Sequence, residues 1–384
     1  MQPKNKMLAT CPNEMVDLLA AELAQLGCEE ITPGYRVVFF TTDIEGFYRV
    51  HLWSRLASRF YLVLKEISAN TATIIFDKAK RIQYHQYFTA DTPIKIQINS
   101  AEADPKVPVH LMGSKLREAI ADSFLHYTGK TATTQAYDAQ LTLFGFYQKN
   151  KIMLSIDTSL KSHHKRAYRK EGHPAPLKET LAAALLQLCE YDGKTAFYDP
   201  MCGSGTIAIE AAQSAMHKAP LIHRKKGEFG FEHMAFFDNK IWKRVQDEAR
   251  QSQHEPPAKI YASDIDRMFV SIAQESALAA RVEKYIDFRQ SDFFTTTKPE
   301  DSGLLICNLP YGLRLDEQLL TEEYLAEFGQ HLKKNYQGWR CGILMPKAAP
   351  HKAIGMKARL RKELANGSVE VNFFIYDIFA AREV

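Results

Sequence analysis

At 384 residues, 46% hydrophobic and 24% charged, the chain is long enough for two or three domains and has the composition of a soluble globular protein. No run approaches the roughly 18 apolar residues of a membrane span, and the apolar stretch before Leu8-Ala-Thr-Cys11 is far too short for a secretory signal. A net charge of +4 does not by itself imply nucleic acid, and the 6 cysteines lack CxxC or Cys/His spacing, which suits a reduced, metal-free cytoplasmic protein.

Residues 1–64 alternate strand and helix. A strand is predicted over Met7–Cys11, a helix over Pro12–Leu26 with apolar residues at helical spacing (Met15, Leu18, Leu19, Leu23), and a strand over Arg36–Thr41. A second helix over Ile44–Ser58 and a strand over Phe60–Leu64 complete a ferredoxin-like unit. Residues 65–158 form a second small α/β unit. Ile94–Ile98 alternates as a half-buried strand, Gly113–Phe124 is an amphipathic helix, and Phe144–Ile156 is a hairpin turning at Lys149-Asn150. Small and basic residues at the start of that helix (Ser114, Lys115, Arg117) are candidates for meeting phosphate through helix-start amides and cations.

The third domain, 159–384, opens with a basic hinge ending at Pro174 and Pro176, after which a helix spans Lys178–Leu188. Phe197-Tyr-Asp-Pro-Met-Cys-Gly-Ser-Gly-Thr-Ile-Ala-Ile-Glu-Ala-Ala212 then reads as a strand, a glycine turn and an apolar helix, the layout of a nucleotide site at a strand–helix junction. It lacks the third glycine of the dinucleotide fingerprint and the Lys-Ser/Thr of a P-loop. Its acid, Asp199, precedes the turn, where it can hold the amino end of a methionine moiety. Some forty residues, 214–256, interrupt the pattern; they read either as an insertion flanking an RNA cleft or as a packed satellite helix. A second acid follows Lys259-Ile-Tyr-Ala-Ser, and Asp264 is preferred over Asp266 as a ribose ligand, Asp266 being also a candidate helix N-cap. A third strand end offers Asp292 for an adenine amino group. A fourth, Leu304-Leu-Ile-Cys-Asn-Leu-Pro-Tyr-Gly312, delivers Asn308, Pro310 and Tyr311. Val371–Asp377 with Lys362–Leu364, joined through Asn366-Gly367, forms a terminal antiparallel hairpin on an otherwise parallel doubly wound sheet, with Phe373 and Phe374 in the core.

An amide oxygen and a freed proline carbonyl can accept both hydrogens of an exocyclic amine while an aromatic ring stacks on its base. The order glycine turn, ribose acid, adenine acid, Asn-x-Pro-Tyr resembles the class I S-adenosylmethionine methyltransferases acting on such amines. With Ser162-His-His-Lys-Arg-Ala-Tyr-Arg169 and Ala175-Pro-Leu-Lys-Glu-Thr-Leu-Ala-Ala-Ala184 added, nearly the whole chain is similar to bacterial 23S rRNA guanine-N2 methyltransferases with an N-terminal THUMP domain (RlmL-like). The resemblance makes 65–158 the THUMP RNA-binding unit and implies methyl transfer to N2 of a guanine in 23S rRNA or a large-subunit precursor. Some members carry a second methyltransferase domain, for which 384 residues leave no room. Leu309 stands where many amine methyltransferases have a first proline, although the dimethyladenosine rRNA enzymes share Asn-Leu-Pro-Tyr.

The cofactor set so implied is Leu177, Asp199, Pro200, Met201, Cys202, Gly203, Ser204, Gly205, Thr206, Asp264, Ile265, Asp292, Phe293 and Asn308, with Asn308, Pro310 and Tyr311 catalytic. Basic residues cluster around Lys165, Arg166 and Arg169, around Arg224–Lys226, and over Lys352–Lys362; Arg314 and the first cluster are candidates for RNA phosphate. The rival functions are N6-adenine or tRNA guanine-N2 methylation, DNA amino methylation, and a non-catalytic RNA-binding assembly factor.

Overall fold

The structure is a computed structural model and describes residues 4–132, 134, 138–169, 177–310 and 320–379. The chain forms two compact units: one of Met1–Cys11, Leu19–His163 and His223–Asp247, the other of Pro12–Leu18, His164–Ile222 and Glu248–Val384.

The first unit contains one seven-stranded sheet in the order β2-β3-β1-β4-β7-β6-β5. Its first part runs β1 (Asn5–Thr10), α1 (Val16–Gln25), β2 (Glu29–Gly34), β3 (Val37–Thr42), α2 (Ile44–Trp53) and β4 (Arg59–Ser68). With β1 antiparallel to both β3 and β4, this is the split βαββαβ arrangement of a ferredoxin-like unit. The sequence reading missed β2. It is an edge strand, Glu-Glu-Ile-Thr-Pro-Gly, with no buried face, so its single apolar Ile31 carries no alternation to detect. After α3 (Ala72–Ala79), β5 (Ile94–Ser100), α4 (Val109–Thr128), β6 (Leu141–Gln148) and β7 (Lys151–Asp157) continue the sheet. Strand β4 crosses the boundary expected at residue 64 unbroken, with a register shift between Val63 and Lys65 against β7. Lys149 and Asn150 both take positive φ (49° and 59°), the backbone of a tight two-residue hairpin turn.

Of the segment 214–256, read either as an insertion flanking an RNA cleft or as a packed satellite helix, residues 223–247 pack within this unit. Phe231 is fully buried against Phe47 and Tyr48 (ring centroids 5.7 and 5.2 Å), and Phe229 and Trp242 complete the cluster. Burial of rings this size is worth about 2–3 kcal/mol each, which explains the aromatic density over Phe229–Phe237.

In the second unit, β8 (Ala196–Asp199), β9 (Ile260–Asp264), β10 (Ile286–Gln290), β11 (Gly303–Asn308) and β12 (Trp339–Pro346) are parallel. The hairpin of β13 (Leu360–Asn366) and β14 (Val369–Asp377) closes the sheet in the order β10-β9-β8-β11-β12-β14-β13, with β14 antiparallel to β12. Its helices are α5 (Glu179–Leu188), α6 (Thr206–Ala215), α8 (Arg267–Ala279) and α9 (Glu322–Asn335), while α7 (Asn239–Gln251) falls mostly in the first unit. Helix α5 is buried almost from end to end, as its Ala/Leu sequence requires. Phe373 and Phe374 are core residues. Among the described residues, no helix is long and apolar enough to cross a membrane, and all 6 cysteines are free and buried.

Candidate functional site

Strand β8 is the shortest of the parallel strands and lies at the switch point where strand order reverses, between β9 and β11. Asp199 is in register with Ala262 of β9, so β9 runs two residues further, through Ser263 to Asp264. Tyr198 is in register with Leu305 of β11, so Asp199 falls beside Ile306 and β11 also runs two residues further, to Asn308. Two residues at about 3.3 Å each give a notch roughly 7 Å deep. Asp199 forms its floor, with Asp264 and Asn308 on its two walls. The pleat places all three side chains on the same face of the sheet.

The glycine turn closes one end of this notch. Gly203 and Gly205 take φ of 51° and 78°, and a Cβ on Gly205 would lie 2.9 Å from the Cβ of Ala273 in α8. Glycine is therefore required at 205 by backbone conformation and by helix approach together. The turn is tied to the end of β9: Cys202 N–H donates to the Ser263 carbonyl (2.8 Å), and Gly203 N–H donates to Asp264 Oδ2 (2.9 Å). Asp264 Oδ1 accepts from Asp266 N–H (3.1 Å), so this carboxylate is oriented by backbone on both sides. Asp266 accepts from Met268 N–H (2.8 Å) and is the N-cap of α8, which leaves Asp264 as the acid facing the notch. Pro200 and Cys202 are buried, Met201 packs on the core, and Ser204 Oγ lies 3.3 Å from Thr206 Oγ1 at the start of α6. Burial and the neighbouring Asp199 and Asp264 push the Cys202 thiol well above its usual pKa, which disfavours its thiolate form.

Asp199 is 1% exposed, and neither carboxylate oxygen makes a hydrogen bond of good geometry. Burial and repulsion from Asp264 drive its pKa well above the carboxylate range; the nearby amides of Met201 and Ala208 only partly oppose this. A buried carboxylate with no partner is costly unless a ligand completes it, and the complement it calls for is a cation bearing N–H donors. The opposite wall repeats the pattern, since Asn308 Oδ1 is buried with no hydrogen-bond partner. Two unfilled acceptors therefore line one notch, the first suited to an ammonium and the second to an amine.

At the third strand end, Asp292 accepts from Phe294 N–H (3.0 Å). The Phe293 ring is buried against Phe328 and His331 (centroids 5.0 and 4.7 Å), so only the backbone of Phe293 is available to a ligand. Ile265, beside Asp264, is 66% exposed and provides an apolar surface at the same edge. Leu177 is buried, and its carbonyl accepts from Arg169 Nη2 (2.5 Å). Leu309 is fully buried, and its N–H donates to the Leu344 carbonyl (3.0 Å), extending the β11–β12 ladder past Asn308. A proline at 309 would forfeit that bond, which accounts for the leucine. Tyr311 and Arg314 lie outside the described residues, and Pro310 is the last described residue of its segment.

Several expected RNA contacts are corrected. Arg166 is buried in an ion pair with Glu210 of α6, which also accepts from Tyr168 Oη (2.9 Å). Arg169 is held by the Leu177 carbonyl and by Glu179 (3.3 Å). These arginines fasten their segment to α5 and α6, and Arg166, fully buried, cannot meet phosphate. Helix α4 begins at Val109, so Ser114 and Lys115 lie in its second turn, where amides are already bonded, and Lys115 pairs with Glu118 (2.6 Å). Arg117 and Lys165 are exposed. Two contributors were missed by sequence reasoning: Ser263, whose Oγ lies 2.7 Å from Tyr198 Oη, and Glu210, a lone acid in an apolar helix whose isolation was the available signal.

A family model described as "RMKL-like, methyltransferase domain" matches residues 166–373, and a second, "RlmL ferredoxin-like domain", matches residues 6–61. The chain is 32% identical over 380 residues to the ribosomal RNA large subunit methyltransferase K/L of Vibrio campbellii, covering 97% of this chain and 53% of that protein. It thus spans about half the length of the curated relatives it matches first. A possible methylase from Clostridium difficile 630 superposes over 100% of both chains (TM-score 0.88, 30% identity). The protein SMU.472, solved in complex with SAH, does so with TM-score 0.89 and 26% identity. The parallel sheet, its terminal hairpin and the acid-lined notch belong to a class I methyltransferase fold, and the chain is a member of the RMKL-like methyltransferase domain family.

Proposed function

We propose that this chain transfers a methyl group from S-adenosylmethionine to an exocyclic amine of an RNA base, the base being a guanine of large-subunit rRNA methylated at N2. The observation carrying this reading is the pair of unfilled acceptors in one notch, Asp199 and Asn308 Oδ1. The name of the Vibrio campbellii relative and the SAH complex of SMU.472 support the substrate and donor classes. S-adenosylmethionine bound here supplies a methyl group already activated as a sulfonium.

The residues then have distinct tasks. Asp199 takes the methionine ammonium, Asp264 the ribose hydroxyls, and Asp292 with the Phe293 backbone the adenine edge, beside Ile265. The Asn308 side-chain oxygen and the Pro310 carbonyl accept from the target amine. They draw its nitrogen toward a tetrahedral geometry and stabilise the positive charge it gains. Tyr311 stacks on a base turned out of its pairing, a contact worth about 1–3 kcal/mol. No buried general base is needed, because the methylated cation is acidic enough to lose its proton to water. A THUMP-type module over 65–158, within the first unit, together with Arg117, Lys165 and Arg314, contributes RNA affinity, and the chain acts in the cytoplasm.

Asn308→Ala tests this directly: it should lower methyl transfer by about 10²–10³ while leaving cofactor affinity within about threefold. Full transfer by the variant would overturn the assignment. A second reading, N6 of adenine, rests on the Asn-Leu-Pro-Tyr sequence shared with the dimethyladenosine rRNA enzymes.

A further inference from the structure

The third basic cluster of the sequence is sorted by the structure into two groups. Arg359 is committed, its guanidinium pairing with Glu190 (3.3 Å) and Asp377 (3.9 Å). Lys352 and Lys357 instead line an open cavity of about 470 Å³, together with Arg361, which lies 3.9 Å from Glu363, and with Gly355 and His351 as walls. His351 stacks on the buried Phe374 ring (4.8 Å, 23° between planes), which holds the imidazole at the cavity wall. A second cavity of about 480 Å³ adjoins it through His351 and Lys352.

The charges in this groove are unbalanced. Lys352 and Lys357 are exposed, and neither has an ion-pair partner among the described residues. The acids nearby are engaged: Glu363 lies 3.4 Å from Lys347 and 3.9 Å from Arg361, and Glu370 lies 3.5 Å from Lys347. Lys333 Nζ lies 3.3 Å from where a Cβ on Gly355 would stand, adding a further cation. Glu322 is the one carboxylate among the described residues lining the adjoining cavity.

Location gives this excess its meaning. Asn308 is in register with Leu344, and β12 ends two residues later at Pro346, so the segment carrying His351–Ala358 leaves from the edge that presents Asn308. Arg361 is in register with Phe374, and Phe374 with Ile343, one residue below Leu344, so Arg361 lies on the face of the sheet opposite to Asn308 but close to the same strand-end edge. From β11 across β12 and β14 to β13 is three strand spacings, about 14 Å. An RNA strand whose target base sat at Asn308 would reach the groove within a few nucleotides by passing over the strand-end edge of β12 and β14.

We infer that this groove holds the phosphodiester backbone of the RNA strand flanking the target nucleotide. The inference rests on the RNA methyltransferase reading above and adds a surface beside the target site to the RNA contacts proposed there. Flexible ammonium groups without partners and a half-buried histidine suit successive phosphates of a single strand. A small dianion would instead call for a closed site with buried donors.

The test measures binding of an rRNA fragment to the full chain over a range of salt, for wild type, for K352Q with K357Q, and for R361Q alone. Losing two phosphate contacts to single-stranded RNA should lower the slope of log affinity against log salt by about 1.4 and weaken binding roughly 25-fold at 0.1 M salt. R361Q should lose about half that slope. As a control, K259Q with K284Q removes the same charge beside Ile260 and Ile286, where β9 and β10 begin at the opposite edge of the sheet, and should leave binding near wild type. Cofactor titration on each variant establishes that the second unit is intact. Wild-type affinity and slope in both groove variants would overturn the inference, as would an equal loss in the control pair. Wild type failing to bind RNA at all would instead overturn the functional reading beneath it.

Discussion

Replacing Arg166 by alanine separates a structural role from an RNA-contacting one. The Arg166 and Glu210 side chains are both fully excluded from solvent, and Glu210 also accepts from the Tyr168 hydroxyl. Burial and Glu210 itself push the Tyr168 phenol well above its usual range, so it stays a hydrogen donor at any working pH. Arg166→Ala strands the carboxylate in this environment. Removing one partner of a buried pair costs about 3–5 kcal/mol, because the remaining charge has lost its compensation. The second unit comprises roughly 200 residues, for which each kcal/mol moves the midpoint by about 2–4 °C. A fall of roughly 6–20 °C in its thermal transition is therefore expected. Arg166→Met combined with Glu210→Leu should recover most of it, since an apolar pair of similar volume replaces the ions. An exposed phosphate-binding arginine would behave oppositely, with a stability change under about 0.5 kcal/mol and a shallower salt dependence of RNA binding. A midpoint within about 2 °C of wild type would refute the burial argument.

Two further outcomes follow from the notch. Asp199 has a raised pKa in the free protein, so its contribution to stability is present at low pH and is lost as pH rises through that pKa. An incoming ammonium favours the ionised form, so cofactor binding should release a proton in mildly acidic solution, measured by calorimetry in buffers of differing ionisation enthalpy; the release should vanish in Asp199→Asn, and zero release in wild type would remove the assigned ammonium contact. Gly205→Ala combines the cost of a left-handed backbone with a 2.9 Å approach to Ala273, and should destabilise the second unit by about 3 kcal/mol in urea titration and weaken cofactor binding with it; an unchanged midpoint would show that the turn can relax.

The parts of the fold that were legible in the sequence are those whose signal is local. The glycine turn, Asp264 and Asn308 at the ends of β9 and β11, the Lys149-Asn150 turn and the terminal hairpin are each set by a short stretch. What escaped depends on partners far along the chain. The edge strand Glu29–Gly34 has no buried face to impose a period. The start of α4 was placed four residues late because Val109–Met112, just after Pro108, shows little amphipathic pattern. The basic run around Arg166 looks identical whether it faces water or Glu210, 44 residues on. Likewise Phe229 and Phe231 announce burial but not its partner, since Phe47 and Tyr48 lie more than 180 residues earlier. In the site itself, residue types could be read from the sequence, whereas the recess of Asp199 below its neighbours emerges only from the strand register.

The central claim is most directly tested by incubating the purified chain with S-adenosylmethionine and 23S rRNA from a strain deleted for it, then digesting the RNA and identifying its nucleosides by mass spectrometry. The account predicts N2-methylguanosine appearing in proportion to active enzyme and absent with Asn308→Ala. N6-methyladenosine in its place, or no methylated nucleoside at all, would contradict it.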